Sequence, residues 1–400
     1  MSACVPRATV RARMSPTAIV AGLLSLPTCP LCLSATGSAG PPLRLAAAEA
    51  RDGDLFGSAV AVAEHTVLVG APGTGDFLGA AYVFERRGEG WVQTARLHLE
   101  DAMPGSQLGA AVALASDTAL LATSSGARTA GVYAFLRDAA RRWTYEGPLS
   151  LPSGEAPQAV ALAGDTAVVG TNGAAYVFVH AGAASWLLRG MLSPDPGETA
   201  SAGFGASVAI TPGLIAVGAP TAGRFSGAVY LFVRAATGQW IRQARLRADP
   251  SEFSLFGSAV ALAGDQALVG AYGESNFHGA AYLLQHRASG WQSVARLAPD
   301  DAARSYECFG RALALSATSA VVGSPCSDPG EPIDVAVYQY RAGPRRAWDQ
   351  RTRLGPAPAA AVENFATSVA TTGELTVMGS PEEGSIGAAY VVECAGCQEP

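Results

Sequence analysis

The chain has 400 residues and a net charge of −6, with 49% hydrophobic and 15% charged residues. This apolar content excludes a disordered chain. The charges are spread with no basic block, which excludes a nucleic-acid partner, because neutralising phosphates needs clustered Lys and Arg. Much of the apolar content is Ala and Val, and Gly numbers 46, a composition of close-packed strands and tight turns.

The first 39 residues read as a leader. Arg7, Arg11 and Arg13 give a positive start, and an apolar stretch runs from Thr17 to Leu33, broken by Pro27 and Pro30. Small residues follow, with Gly37 and Ala39 placed for a cleavage, which is the layout of a secretory signal. A membrane anchor is the weaker alternative, since the unbroken apolar run falls far short of the roughly 20 residues that span a bilayer. A lipid anchor at Cys29 or Cys32 is also disfavoured by the residues that precede each. Cleavage leaves four of the seven cysteines, Cys308, Cys326, Cys394 and Cys397, an even number suited to an oxidising compartment. The chain is therefore expected to be exported to the periplasm, the cell surface or the medium, with no transmembrane helix.

From residue 40 to 393 the sequence repeats itself. Residues 56–72 and 79–97 read FGSAVAVAEHTVLVGAP and GAAYVFERRGEGWVQTARL. Residues 256–272 and 279–297 read FGSAVALAGDQALVGAY and GAAYLLQHRASGWQSVARL, and residues 204–246 carry the same runs in the same order. Weaker copies start at Leu108, Ala156, Phe309 and Phe365, so the seven copies begin at 56, 108, 156, 204, 256, 309 and 365. A step of 48 to 56 residues belongs to one four-stranded propeller blade per repeat.

Within a copy, two short apolar runs flank a two-residue turn such as Gly264-Asp265, a hairpin signal. A third strand alternates, with Tyr82 and Phe84 on one side and Ala81 and Val83 on the other. A fourth carries the Trp and ends in Arg-Leu. Small residues in the first strand suit the crowded axis of a propeller, and aromatic residues further out suit blades packed face to face. The seventh copy ends near Val392 without a fourth strand, while an orphan Arg44-Leu45 stands ahead of the first copy. The expected fold is all-β: a seven-bladed β-propeller whose last blade is closed by an N-terminal strand at 42–47, followed by a short tail, 394–400. Closure removes two open strand edges.

Phe-Gly, then Gly-Ala-Pro, then Gly-Ala-x-Tyr-Val-Phe resembles the FG-GAP repeats of integrin α-subunit propellers, in a compact bacterial form, over about residues 42–393. The resemblance implies an extracellular propeller used for adhesion or ligand binding. Integrin-type blades often hold calcium through Asp-x-Asp-x-Asp-Gly in the first hairpin. Here the hairpins read AEHT at 63–66, AGDT at 163–166 and AGDQ at 263–266, too short for such a site. No cofactor or metal is expected, and Asp165 and Asp265 read as turn residues.

Candidate sites are few. Glu100, Asp195, Asp249 and Asp300 recur three residues after the outer-strand Leu, with Asp52 and Asp54 in the matching loop before Phe56. They could form an acidic ring for cations or a basic partner, but turn capping is the favoured reading. Aligned on the fifth copy, Cys308 and Cys326 fall nearly opposite each other across a hairpin, which predicts a cross-strand disulfide. Cys394-Ala-Gly-Cys397 lacks the context of a redox or metal motif, and a local disulfide, or a pairing that the sequence does not assign, is favoured. No catalytic motif appears, and the five His have no repeated carboxylate partner. Glu274, Asn276 and His278, in one loop of the fifth copy, are the best place for a polar site, although an ordinary surface loop is favoured. The reading that follows is a monomeric, non-catalytic binding or adhesion module that contacts a protein or glycan through one propeller face. A propeller enzyme acting on an extracellular polysaccharide and a purely structural envelope protein are the alternatives.

Overall fold

The structure is a computed structural model that describes residues 40–394 except 89, 125–129, 183–184, 195–201, 248–252, 300–305, 327–334, 343–347, 349 and 355–363. The expected leader (1–39), the tail beyond Cys394, Cys397 and three of the acidic loop residues (Asp195, Asp249 and Asp300) lie outside the described residues.

Seven four-stranded antiparallel sheets form a ring. Blade 1 contains Ala59–Ala63, Thr66–Ala71, Ala80–Arg87 and Gly90–Leu97, in that order from the axis outward. Its first hairpin pairs Ala63 with Thr66 across the two-residue turn Glu64-His65. The second strand of the blade is buried at every position, and so is the third as far as Glu85. The alternation in the third strand is the reason. Tyr82 and Phe84 pack on one side with Val377 and Val391 of blade 7, while Ala81 and Val83 pack on the other with Leu114, Leu121 and Phe135 of blade 2. A propeller blade is thus sandwiched between neighbours, and both of its faces must be apolar.

The Phe-Gly pair closes the seam ahead of its blade. Phe56 is 1% exposed and meets Tyr82 and Phe84 edge-on at 5.7 and 6.0 Å. It also bridges to Gly387 of blade 7, and Leu108, Phe256 and Phe309 make the same bridge to the preceding blade. Glycine follows because the backbones nearly touch: a Cβ on Gly57 would lie 2.1 Å from the Ala388 carbonyl oxygen.

The ring closes through the N-terminal strand. Leu43–Leu45 pairs antiparallel with Ala388–Glu393, in the register Leu43 with Val391, Arg44 with Tyr390 and Leu45 with Ala389. Leu45 is 3% exposed within the core shared by blades 7 and 1. The register explains the recurring Arg-Leu. Each Arg stands beside the third-strand Tyr: Arg96 with Tyr82, Arg245 with Tyr230, Arg296 with Tyr282, Arg353 with Tyr338, and Arg44 with Tyr390.

Cys308 and Cys326 are joined (S–S 2.05 Å, Cα–Cα 5.4 Å), tying the approach to blade 6 to the end of its second strand. Cys394 is also disulfide-bonded. No helix among the described residues is long and apolar enough to cross a membrane.

Candidate ligand-binding face

Strand direction alternates within a blade, so two kinds of loop emerge on the same face: those joining second to third strands, and those joining one blade to the next. The short first hairpins and the third-to-fourth turns emerge on the other.

On the loop face, blades 1, 4 and 5 each leave the second strand through a single tight turn, Thr74–Phe77, Ala222–Phe225 and Glu274–Phe277. Each turn has three successive left-handed residues: Gly75, Asp76 and Phe77 (φ 63°, 58°, 65°), Gly223, Arg224 and Phe225 (58°, 58°, 66°), and Ser275, Asn276 and Phe277 (52°, 59°, 65°). Such backbone costs about 1–2 kcal/mol at each non-glycine residue, so it must be held from outside. Hydrogen bonds hold it. Gly79, Gly227 and Gly279 donate back to Thr74, Ala222 and Glu274, each at 2.9 Å. The following blade also donates in, from Gln107 N to Phe77 O (2.9 Å), Leu255 N to Phe225 O (2.9 Å) and Cys308 N to Phe277 O (2.8 Å).

The result is a set of aromatic rings presented to solvent on fixed backbone. Phe77 and Phe225 are each 46% exposed, Phe253 58% and Tyr306 43%. Phe225 lies against Phe253 with centroids 5.8 Å apart and planes 13° from parallel, and Phe277 lies against Tyr306 at 5.7 Å and 8°. These rings were not singled out by the sequence, because each pair joins residues from two different repeats.

The polar loop of blade 5 sits within this face. Glu274 is engaged on both oxygens: Oε1 accepts from Arg296 Nη2 at 2.6 Å, and Oε2 accepts from Tyr282 Oη at 2.6 Å. Burial, and then this carboxylate, push the Tyr282 phenol up to about 12. Blade 7 repeats the arrangement with Glu383, Tyr390 and Arg44, and the Tyr390 phenol is again pushed to about 12 by burial first and then by Glu383. Glu274 therefore pins its loop to the outer strand. Asn276 is exposed, and His278 is half-buried, its Nδ1 without a hydrogen-bond partner among the described residues.

The acidic positions among the described residues do not converge on one point. Asp54 is 3% exposed, and its Oδ2 accepts from Arg51 N at 2.9 Å. Asp52 accepts from the Ser385 hydroxyl, and Glu100 is exposed. Asp165 and Asp265, in first hairpins on the opposite face, accept from Thr166 (3.0 Å) and Gln285 (3.1 Å). Also on that face, His180 has a partner from the neighbouring blade that the repeat pattern did not reveal: Glu146 at 2.6 Å, which also accepts from Trp186 Nε1. Along the axis, first strands line a cavity of about 230 Å³ whose walls, including Ala59, Ala111, Ala159 and Val369, carry no charge.

Comparison with known proteins agrees with the repeat. An FG-GAP repeat model matches residues 43–84 and 240–284. Those two segments are FG-GAP repeats. Each matched segment runs from the Arg-Leu of one blade's outer strand, Arg44-Leu45 or Arg245-Leu246, to the third-strand Tyr of the next blade, Tyr82 or Tyr282. No curated protein matches. Among solved structures, this propeller is similar to a protein from Lactobacillus plantarum, at 13% identity over 79% of this chain and 89% of that one, with a TM-score of 0.51. The N-terminal domain of Nup159 also matches, at 13% identity over 84% and 88%, with a TM-score of 0.46. At these identities the first likeness concerns the fold alone.

Proposed function

We propose that this FG-GAP propeller is an exported, non-catalytic binding or adhesion module that recognises a protein or glycan through the loop face. The observation that carries the reading is the set of solvent-facing aromatic rings on turns fixed by hydrogen bonds between blades. Exposed apolar patches on soluble proteins mark interaction sites, and rigid rings lose little entropy when a partner arrives. The Cys308–Cys326 disulfide supports an oxidising compartment. Glu274 supports a non-catalytic role for its loop, since both of its oxygens are already used by Tyr282 and Arg296.

The test is surface binding by residues 40–400 and two variants. Phe77→Asp with Phe253→Asp places charge on the loop face, and Thr237→Glu with Ser289→Glu places it on exposed turns of the opposite face. Loss of binding to cells or matrix in the first variant and retention in the second is expected. The reverse pattern, or equal binding by all three proteins, overturns the assignment of the face.

A further inference from the structure

We propose that the loop face takes a polysaccharide across the junctions of blades 4, 5 and 6, with Phe225–Phe253 and Phe277–Tyr306 as platforms on which its sugar rings stack. The inference rests on the loop face being the binding face and adds the class of ligand.

The stacked pairs are not a requirement of the fold. Phe253 and Tyr306 each stand three residues ahead of the Phe-Gly of their blade, Phe256 and Phe309. At the same place ahead of blades 1 and 2 stand Gly53 and Gly105. Phe77, presented by the same left-handed turn, has Gly105 rather than a ring at that place in the following blade. The seam between blades 1 and 2 thus forms without a pair. The second ring is an addition confined to two neighbouring seams.

Both added rings are held stiffly although they are exposed. Phe253 and Tyr306 have left-handed backbone, φ 65° and 62°. The segment after Phe253 is fixed by Leu255 N to Phe225 O and by Gly273 N to Ser254 O at 3.1 Å. Tyr306 is two residues from the Cys308–Cys326 disulfide, and Cys326 N donates to Glu307 O at 3.3 Å. The two platforms meet through one loop: a Cβ on Gly273 would lie 2.3 Å from the Phe253 carbonyl oxygen. From there Tyr272 packs on Phe277 at 6.0 Å, and the Arg311 guanidinium lies 5.8 Å over Tyr272.

This chemistry fits a pyranose. The face of an aromatic ring is negative and its edge positive. A sugar ring offers a patch of C–H bonds with positive partial charge on one face and places its hydroxyls around the rim. Stacking buries the C–H patch and leaves the hydroxyls to water and to exposed polar groups such as Ser275 and Asn276. Arg224, exposed beside Phe225, and Arg311 leave room for carboxylates on the sugar as well. Nucleotides are disfavoured because phosphates need clustered cations and the sequence has no basic block.

The experiment is affinity electrophoresis of residues 40–400 in native gels cast with barley β-glucan, xylan, mannan or polygalacturonate. Retardation by at least one of them is expected, and salt sensitivity confined to polygalacturonate would identify the arginines as part of the site. Phe253→Ala and Tyr306→Ala should each weaken retention about tenfold, and together abolish it. Tyr145→Ala, which removes an exposed ring from the outer strand of blade 2, should leave it unchanged. Both substituted side chains are exposed, so melting curves should match the parent protein. No retardation in any gel, or retardation indifferent to Phe253 and Tyr306, overturns the proposal. Surface binding that is lost in the Phe253→Ala/Tyr306→Ala variant yet survives periodate destruction of glycans overturns the polysaccharide and leaves the binding face standing.

Discussion

Replacing Gly270 by Ala is a sharp probe of how the blades interlock. Gly270 lies one residue before the end of the buried second strand of blade 5, and its missing Cβ would lie 2.0 Å from the carbonyl oxygen of Gly310 in blade 6. Real Cβ contacts essentially never fall under 3.0 Å, so blades 5 and 6 must part there by about 1 Å. The obstacle is backbone on both sides, and no rotamer can relieve it. Parting the blades loosens the core that Leu268, Leu283, Phe309 and Val322 share across the seam. Overpacking of a filled core costs about 1–3 kcal/mol and sometimes more, and a rigid backbone clash belongs at the upper end. A loss of about 3 kcal/mol lowers the melting midpoint of a chain this size by about 5 °C. Gly213→Ala is the control, because its Cβ would meet nothing within 4 Å, and it should melt within about 1 °C of the parent. Differential scanning calorimetry of residues 40–400 reads both. Equal midpoints for Gly270→Ala and Gly213→Ala would refute the close approach. The chain contains its own comparison: Ala122 stands in blade 2 where Gly70 stands in blade 1, and the blade it meets has Ala156-Pro157 in place of Phe-Gly.

Further outcomes follow from individual contacts. In an ultraviolet titration, Tyr282 and Tyr390 should ionise near 12, and Glu274→Gln should lower one of them; ionisation of every tyrosine near 10 would contradict the burial and carboxylate contacts. Because these pKa values are raised in the folded state, the stability they contribute is complete below about pH 10 and is lost as pH rises from there towards 12. Removing the disulfide with Cys308→Ser and Cys326→Ser opens a loop of 18 residues, which should cost about 3 kcal/mol, read as a fall in the thermal midpoint. The midpoint should be the same with calcium and with a chelator, since a bound ion would raise it by mass action; a clear shift would mean that the two-residue hairpins are not the whole story.

The repeat made the fold legible because each blade needs the same four strands, and Arg44-Leu45 betrayed the closing strand by having no blade of its own. The Tyr–Arg register across the outer two strands gives that dipeptide its physical meaning. The site was less legible. Glu274 was singled out as a polar group in a loop, yet Tyr282 and Arg296 claim both of its oxygens, and neither lies next to it in sequence. Phe225, Phe253, Phe277 and Tyr306 went unmarked because each pair forms only across a seam between two copies, although a Phe recurs in the turns of blades 1, 4 and 5. His180 and Glu146 escaped for the same reason. Periodicity reports what every blade shares, whereas recognition is written in what two or three blades do differently.

Leu43–Leu45 completes blade 7 and so closes the ring. Hydrogen exchange read by mass spectrometry on residues 40–400 tests this directly. Peptides covering residues 42–47 and 388–393 should both exchange slowly, as the other outer and third strands do, because the two segments share hydrogen bonds. Exchange of residues 42–47 at the rate of an unstructured chain, with 388–393 still protected, would contradict the closed seven-bladed ring.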